Sequence, residues 1–170
     1  QPGRLNVLNH GDMWIYNMLF KYNEAKEVVK VKFVDNQVSR YNVPAVDLVQ
    51  FIFSCAQSEV REDRQQELYD HYLEVLNRTL EETGCSERLT AKQLKEDVRS
   101  VAPWFIGITV FSIPCVFSVG TKDVQNFDGL TAEDYRSGKA NPKILKLLHG
   151  EFFKSLYPNM VRQYLAYIES

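Results

Sequence analysis

Paired cysteines and a basic surface are the first things this sequence lacks. Its three cysteines, Cys55, Cys85 and Cys115, lie far apart and form no C-x-x-C pair, which excludes a disulfide framework and a zinc ribbon. The histidines His10, His71 and His149 have no metal-ligand spacing either. A net charge of −2 without a basic stripe gives no electrostatic reason to expect nucleic acid as a partner. Internal repeats and low-complexity segments are missing, and the first residues read as neither signal peptide nor transit segment. Unpaired thiols point to a reducing, cytoplasmic setting, with Cys55 and Cys115, inside apolar runs, expected as buried thiols.

One uncharged stretch, Ser100 to Thr121, approaches the length of a bilayer span, for which about 20 apolar residues are needed. Pro103 and Pro114 interrupt it, Thr109, Ser112 and Ser118 dilute it, and basic flanks are lacking. No membrane span is expected. The stretch reads instead as a kinked helix pair in the core, with room to form one wall of an acceptor pocket.

What is present is a chain of 170 residues with 45% hydrophobic content, enough for one domain with a sizeable core. Its most informative part runs from Asn9 to Tyr41. Met18, Phe20 and Tyr22 alternate with Leu19 and Lys21, and Val29, Val31 and Phe33 alternate with Lys30 and Lys32, so both runs predict half-buried strands. The polar segment Asn23 to Glu27 joins them as a turn. Folding about Lys26 brings Asn17 and Asp35, equidistant from it in sequence, to the same open end of a hairpin whose strands lie about 5 Å apart. An amide oxygen and a carboxylate placed together suit Mg²⁺, which takes a carboxylate or two and keeps several waters. Asp12, in the loop before the first strand, would face a hydroxyl beside that metal.

The pattern H-G-D-x-x-x-x-N at His10 to Asn17, followed by strand, turn and an apolar residue before Asp35, resembles the catalytic and metal loops of the protein-kinase-like fold. The resemblance lies in its aminoglycoside and choline kinase branch. With N-H-G-D-M-W, F-V-D-N-Q-V-S-R-Y and P-A-V-D-L, the chain is similar to the insect ecdysteroid kinase-like family, also called CHK kinase-like. The similarity covers most of the chain and is strongest between Leu8 and Phe53. It implies that Asp12 orients an acceptor hydroxyl and accepts its proton, while Asn17 and Asp35 hold Mg²⁺ against the phosphates of ATP. Leu19 and Val34 match positions under the adenine. His10 would brace the loop, and Asp47 would accept backbone N–H groups beneath it. Asn36 stands where the family usually has an aromatic, and Tyr16 where a second asparagine is common.

The fold class implied is mainly α with a short β-hairpin, the C-terminal lobe of a kinase-like domain spanning residues 1–170. The N-terminal ATP-grasping lobe, with its strand-borne lysine and helix-borne glutamate, does not fit before His10. That leaves either a fragment of a longer protein or a natural remnant. The implied function is ATP- and Mg²⁺-dependent phosphoryl transfer to an alcohol group of a small molecule, an ecdysteroid or another hydroxylated lipophile, with the N-terminal lobe of the same protein as partner. The alternative is a non-catalytic kinase-like binding or regulatory module.

Taken singly, Asp12, Asn17 and Asp35 are ordinary turn residues, and Asp47 is an ordinary helix N-cap after Pro44. Elsewhere the periodicity predicts helices at Val43 to Cys55 and, as one amphipathic rod ended by Gly84, at Ser58 to Gly84. Arg61, Asp63, Glu67, Glu74, Arg78 and Glu81 fall on the rod's solvated side. A capping box is expected at Thr90 and Gln93. Gly120 to Pro142 reads as irregular, with turns at Asp128-Gly129 and Ser137-Gly138. Its acids Asp123, Asp128, Glu133 and Asp134 do not have calcium-loop spacing. Lys143 to Ile168 reads as a helix interrupted near Pro158, with Leu145, Leu148, Phe152, Phe153 and Leu156 inward.

Overall fold

The computed structural model describes residues 4–117, 122 and 129–169, with side chains at 106–117, 152 and 167–169 outside the description. The described chain is mainly helical with short antiparallel strands. It divides into two compact units, Gln1–Phe105 and Ile106–Ser170.

In the first unit, β1 (Val7–Asn9) pairs antiparallel with β4 (Arg40–Asn42), and β2 (Met18–Tyr22) pairs with β3 (Val28–Phe33). The β2–β3 turn closes through Asn23, whose side chain accepts from Glu27 N at 2.9 Å, and through Lys26 at φ 62°. Every residue of β3 is exposed, so the expected half-buried hairpin is corrected. Only Met18 and, at the base, Asn17 are buried. The alternation V-K-V-K-F correctly predicts a strand, but its apolar face has no cover among the described residues of the unit.

Helix α1 (Ala45–Cys55) forms the centre of this unit, with Pro44 at the N-cap position; Asp47 lies in its first turn and is not the N-cap. Ala45, Val49 and Ile52 are fully buried and Val46, Leu48 and Phe53 nearly so, and each large aliphatic side chain so placed contributes about 1.5–3 kcal/mol. The expected single rod is two helices, α2 (Ser58–Asp63) and α3 (Gln65–Glu82), separated at Arg64, whose φ of −129° leaves the helical region. Arg61 is not on a solvated face. It is buried, and its guanidinium donates to the carbonyl of Ala56 at the C-terminal end of α1, where free carbonyls and the helix dipole favour a cation. Gly84, at φ 75°, closes α3 as Gly84 N reaches Glu81 O and Cys85 N reaches Leu80 O, at 2.9 and 2.8 Å. Beyond it, Asn77 clasps Leu89 by accepting from its N–H at 2.9 Å and donating to its carbonyl at 2.8 Å.

Thr90 and Gln93 form the capping box: Thr90 N donates to Gln93 Oε1 at 3.0 Å and Gln93 N to Thr90 Oγ1 at 3.2 Å. From there α4 runs Ala91–Phe117, burying Leu94, Val98, Ala102 and Phe105. It is one helix through Pro103 and Pro114, not a pair broken by them. Of the stretch invoked for an acceptor-pocket wall, the side chains at 106–117 and residues 118–121 lie outside the description. No helix of the described residues is long and apolar enough to cross a membrane.

In the second unit, Thr131 and Asp134 make a reciprocal capping box that starts α5 (Ala132–Arg136), a short helix within the stretch read as irregular. Gly138, at φ 79°, keeps the expected second turn. Asp123 and Asp128 lie outside the described residues. Helices α6 (Asn141–Leu148) and α7 (Glu151–Glu169) follow. The interruption falls at His149-Gly150 rather than at Pro158, which α7 accommodates. Leu145, expected inward, is exposed, and Leu147 is buried in its place. Phe153 stacks on Tyr157 at 4.6 Å.

Candidate functional site

The site is built on the end of β1. Asn9 is fully buried. Its Nδ2 donates to Asn42 O at 3.0 Å and to Val43 O at 3.3 Å, and its Oδ1 accepts from Asp47 N at 3.3 Å. One side chain therefore ties β1 and the exit of β4 to the first turn of α1. The backbone then turns at Gly11, φ 84°, where a Cβ would lie 2.5 Å from Val38 O.

Asp47 faces this turn from α1. Its two carboxylate oxygens accept from His10 N at 2.5 Å and Gly11 N at 2.8 Å, which satisfies two loop donors that otherwise have no backbone partner. Burial, and secondarily the Asp47 charge, pushes the Tyr72 phenol on α3 up to about 12. The His10 ring bridges loop and hairpin, with Nε2 2.8 Å from Val34 O and Nδ1 accepting from Asp12 N at 3.3 Å. A carbonyl only accepts and an N–H only donates, so the proton sits on Nε2 and the Nδ1 lone pair faces Asp12. That arrangement suits a brace.

Asp12 is held at both carboxylate oxygens by amides. Asn17 Nδ2 donates to Oδ2 at 3.0 Å and to the Asp12 carbonyl at 2.9 Å. Gln50 Nε2, from α1, donates to Oδ1 at 3.3 Å. No lysine or arginine of the described residues forms an ion pair with Asp12. With its NH₂ turned to Asp12, Asn17 keeps Oδ1 for another partner. Val34 N donates to Asn17 O at 3.0 Å while Val34 O receives His10. Both backbone groups before Asp35 are therefore fixed.

Asp35 itself adopts φ 64°, a left-handed conformation that aspartate tolerates at some cost. Gln37 Nε2 makes a long contact of 3.4 Å to Oδ2. The donors at the hairpin's open end are thus an amide oxygen and a largely unengaged carboxylate. This pair is chemically suited to a hard cation that retains waters, and it fits Mg²⁺. No group of three or more His, Cys, Asp and Glu that could hold a metal occurs among the described residues. By strand alternation Leu19 and Val34 share the face of Asn17, with Leu19 exposed and Val34 half-buried.

The structure thus joins His10, Asp12, Asn17, Val34 and Asp47 by direct hydrogen bonds and attaches Asp35 through the backbone. Sequence reasoning missed Asn9 and Gln50. The available signal was a lone amide, Gln50, in the apolar run of α1, three residues after Asp47.

A backbone-braced aspartate, an amide and a second aspartate at the mouth of a hairpin are the residue types that protein kinases use as base and metal ligands. The sequence profile of the ecdysteroid kinase-like family matches residues 1–85, half of the chain, and the protein belongs to that family. No curated protein and no solved structure matches it.

Proposed function

We propose that this chain is the base- and metal-bearing C-terminal lobe of a protein-kinase-like small-molecule kinase, in the aminoglycoside and choline kinase branch. It transfers the γ-phosphoryl group of ATP to a hydroxyl of a small lipophile, such as an ecdysteroid. The observation that carries the reading is the setting of Asp12, oriented on both oxygens by neutral amides with no cationic partner among the described residues. A carboxylate held in this way is fixed in orientation without being tied up in an ion pair.

In this reading Asp12 orients the acceptor hydroxyl and takes its proton. Asn17 Oδ1 and Asp35 would hold Mg²⁺, which supplies neutralisation of phosphate charge during transfer. Leu19 and Val34 present an apolar floor to the adenine. His10 and Asp47 keep the loop from moving as Asp12 takes up the proton and loses its charge. An N-terminal nucleotide-grasping lobe of the same protein would cover the exposed hairpin face, and the isolated 170-residue chain would show negligible transfer. The free thiols Cys55 and Cys85 suit the cytoplasmic setting that belongs to the same proposal.

The test is Asp12→Ala, Asn17→Ala and Asp35→Ala in the full-length protein, assayed for ATP consumption with hydroxylated lipophiles beside thermal melting. Each should lower turnover by about 10²-fold or more, the contribution typical of a positioned base, while still melting cooperatively. Full activity of Asp35→Ala would refute the metal assignment. No heat on titrating Mg²⁺–ATP into the full-length protein would favour a non-catalytic module.

A further inference from the structure

Helix α1 is apolar almost throughout, yet three polar side chains occur at Asp47, Gln50 and Ser54. Spacings of three, four and seven place them on one face. Each meets a successive part of the loop: Asp47 takes His10 N and Gly11 N, Gln50 donates to Asp12 Oδ1, and Ser54 Oγ lies 3.4 Å from Met13 O. The helix therefore carries a polar seam that follows the loop residue by residue.

Gln50 is the member of the seam that a purely structural account does not explain. It is 5% exposed. Asp12 can only accept, so the amide must present Nε2 to it. This leaves Oε1 buried without a hydrogen-bond donor among the described residues. A buried unpaired carbonyl destabilises a fold, and an isosteric apolar residue would fit a helix already lined by Val46, Val49 and Phe53. Buried groups kept at the expense of stability are a mark of functional positions.

We infer that Gln50 is a positioning residue for Asp12. It holds Oδ1 while Asn17 holds Oδ2, so that the Asp12 side chain is kept in one χ1 rotamer from two elements, the helix and the base of the hairpin. With Asn17 alone the carboxylate could swing about its Asn17 contact and lose its aim at the acceptor hydroxyl. The inference rests on Asp12 being the base, and the experiment separates the two.

Gln50→Met keeps length and volume while removing both donor and orphan acceptor. Gln50→Glu keeps shape but sets a carboxylate against Asp12. The first measurement uses the 170-residue chain: NMR three-bond couplings of Asp12 report one χ1 rotamer in the native chain and rotamer averaging in Gln50→Met, with an unchanged or higher melting temperature. A single Asp12 rotamer in both would overturn the inference. The second measurement uses the full-length protein. Turnover should fall at least tenfold in Gln50→Met and further in Gln50→Glu, with the KM for ATP unchanged because Asn17, Asp35, Leu19 and Val34 are untouched. A merely structural role predicts the reverse, a fall in melting temperature with kcat retained. Rotamer averaging in Gln50→Met accompanied by full turnover would keep the contact but remove Asp12 as the base. If Gln50→Glu fails to fold, the Gln50→Met result decides alone.

Discussion

Gly11→Ala is the sharpest perturbation the structure offers, because a second glycine serves as its control. Gly11 and Gly84 have similar positive φ values, 84° and 75°. Alanine at either position is forced into the left-handed region at about 1–2 kcal/mol, offset at both by the lower entropy of the unfolded alanine chain, about 0.4–1 kcal/mol. Their surroundings differ. A Cβ at Gly84 meets nothing within 4 Å, whereas at Gly11 it meets Val38 O at 2.5 Å and Arg40 Nη1 at 2.9 Å. The arginine can move aside. The Val38 carbonyl is backbone, and relieving that contact means shifting the Asp35–Arg40 segment against the loop, an overpacking cost of about 1–3 kcal/mol. Gly84→Ala should therefore be destabilised by about 1 kcal/mol and Gly11→Ala by about 2–4 kcal/mol. At about 2–4 °C per kcal/mol for a chain of this size, the two melting temperatures should differ by roughly 3–10 °C. Far-UV circular dichroism of the two variants side by side measures this. Melting temperatures within about 2 °C of each other would show that the Val38 contact carries no energy and that the loop is not packed as described.

Replacing Asp47 by Ala leaves His10 N and Gly11 N without their acceptor and should cost about 2–5 kcal/mol in urea denaturation, at about 1–3 kcal/mol per unpaired buried donor; a cost under about 1 kcal/mol would refute the brace. Tyr72 is raised to about 12 from an ordinary 10.0, chiefly by burial and then by Asp47. The unfolded chain therefore ionises first, and the stability that Tyr72 contributes is complete below pH 10 and falls as pH rises toward 12. Tyr72→Phe should flatten this alkaline loss, and Asp47→Asn should bring the phenol partway down in an ultraviolet titration. Asp134 lies at about 2, held there first by Lys139, at 2.8 Å, and then by the N–H and hydroxyl of Thr131. Its capping contribution should be present above pH 3.8 and fade as pH falls toward 2. A carbon-detected carboxyl titration checks the midpoint, which Lys139→Ala should raise.

The parts of the fold that sequence revealed are those set by local chemistry. Pro44 before an apolar run gave α1, Thr90 with Gln93 gave the start of α4, and polar residues around Lys26 gave the hairpin. Asn17 and Asp35 converge because a hairpin with a short turn has little choice of register. What was not legible depended on contacts distant in sequence. Arg61 reads as a surface charge until Ala56 O is seen beside it. Gln50 reads as an irregularity in an apolar helix until the loop folds onto it. The proline positions misled for a related reason: Pro103 and Pro158 each give up one backbone donor, and α4 and α7 continue through them. Gly150, between α6 and α7, was the stronger punctuation.

The hairpin that carries the candidate metal ligands also has a consequence for how the 170-residue chain by itself behaves in bulk. A sheet of two strands has two unpaired edges, and β2–β3 exposes Tyr22, Val28, Val29, Val31 and Phe33 besides, a ready template for strand addition by another chain. On the face opposite Val29, Val31 and Phe33, Lys21 stands directly across from Lys30, with Lys32 next in line. Like charges opposed in this way weaken the pairing within one molecule but repel an approaching copy of the same hairpin. Their reach is set by ionic strength, about 10 Å at 0.1 M and about 3 Å at 1 M. Salt, not concentration alone, thus sets the colloidal lifetime of the exposed hairpin, and acetylating those three lysines would have the same effect as raising it.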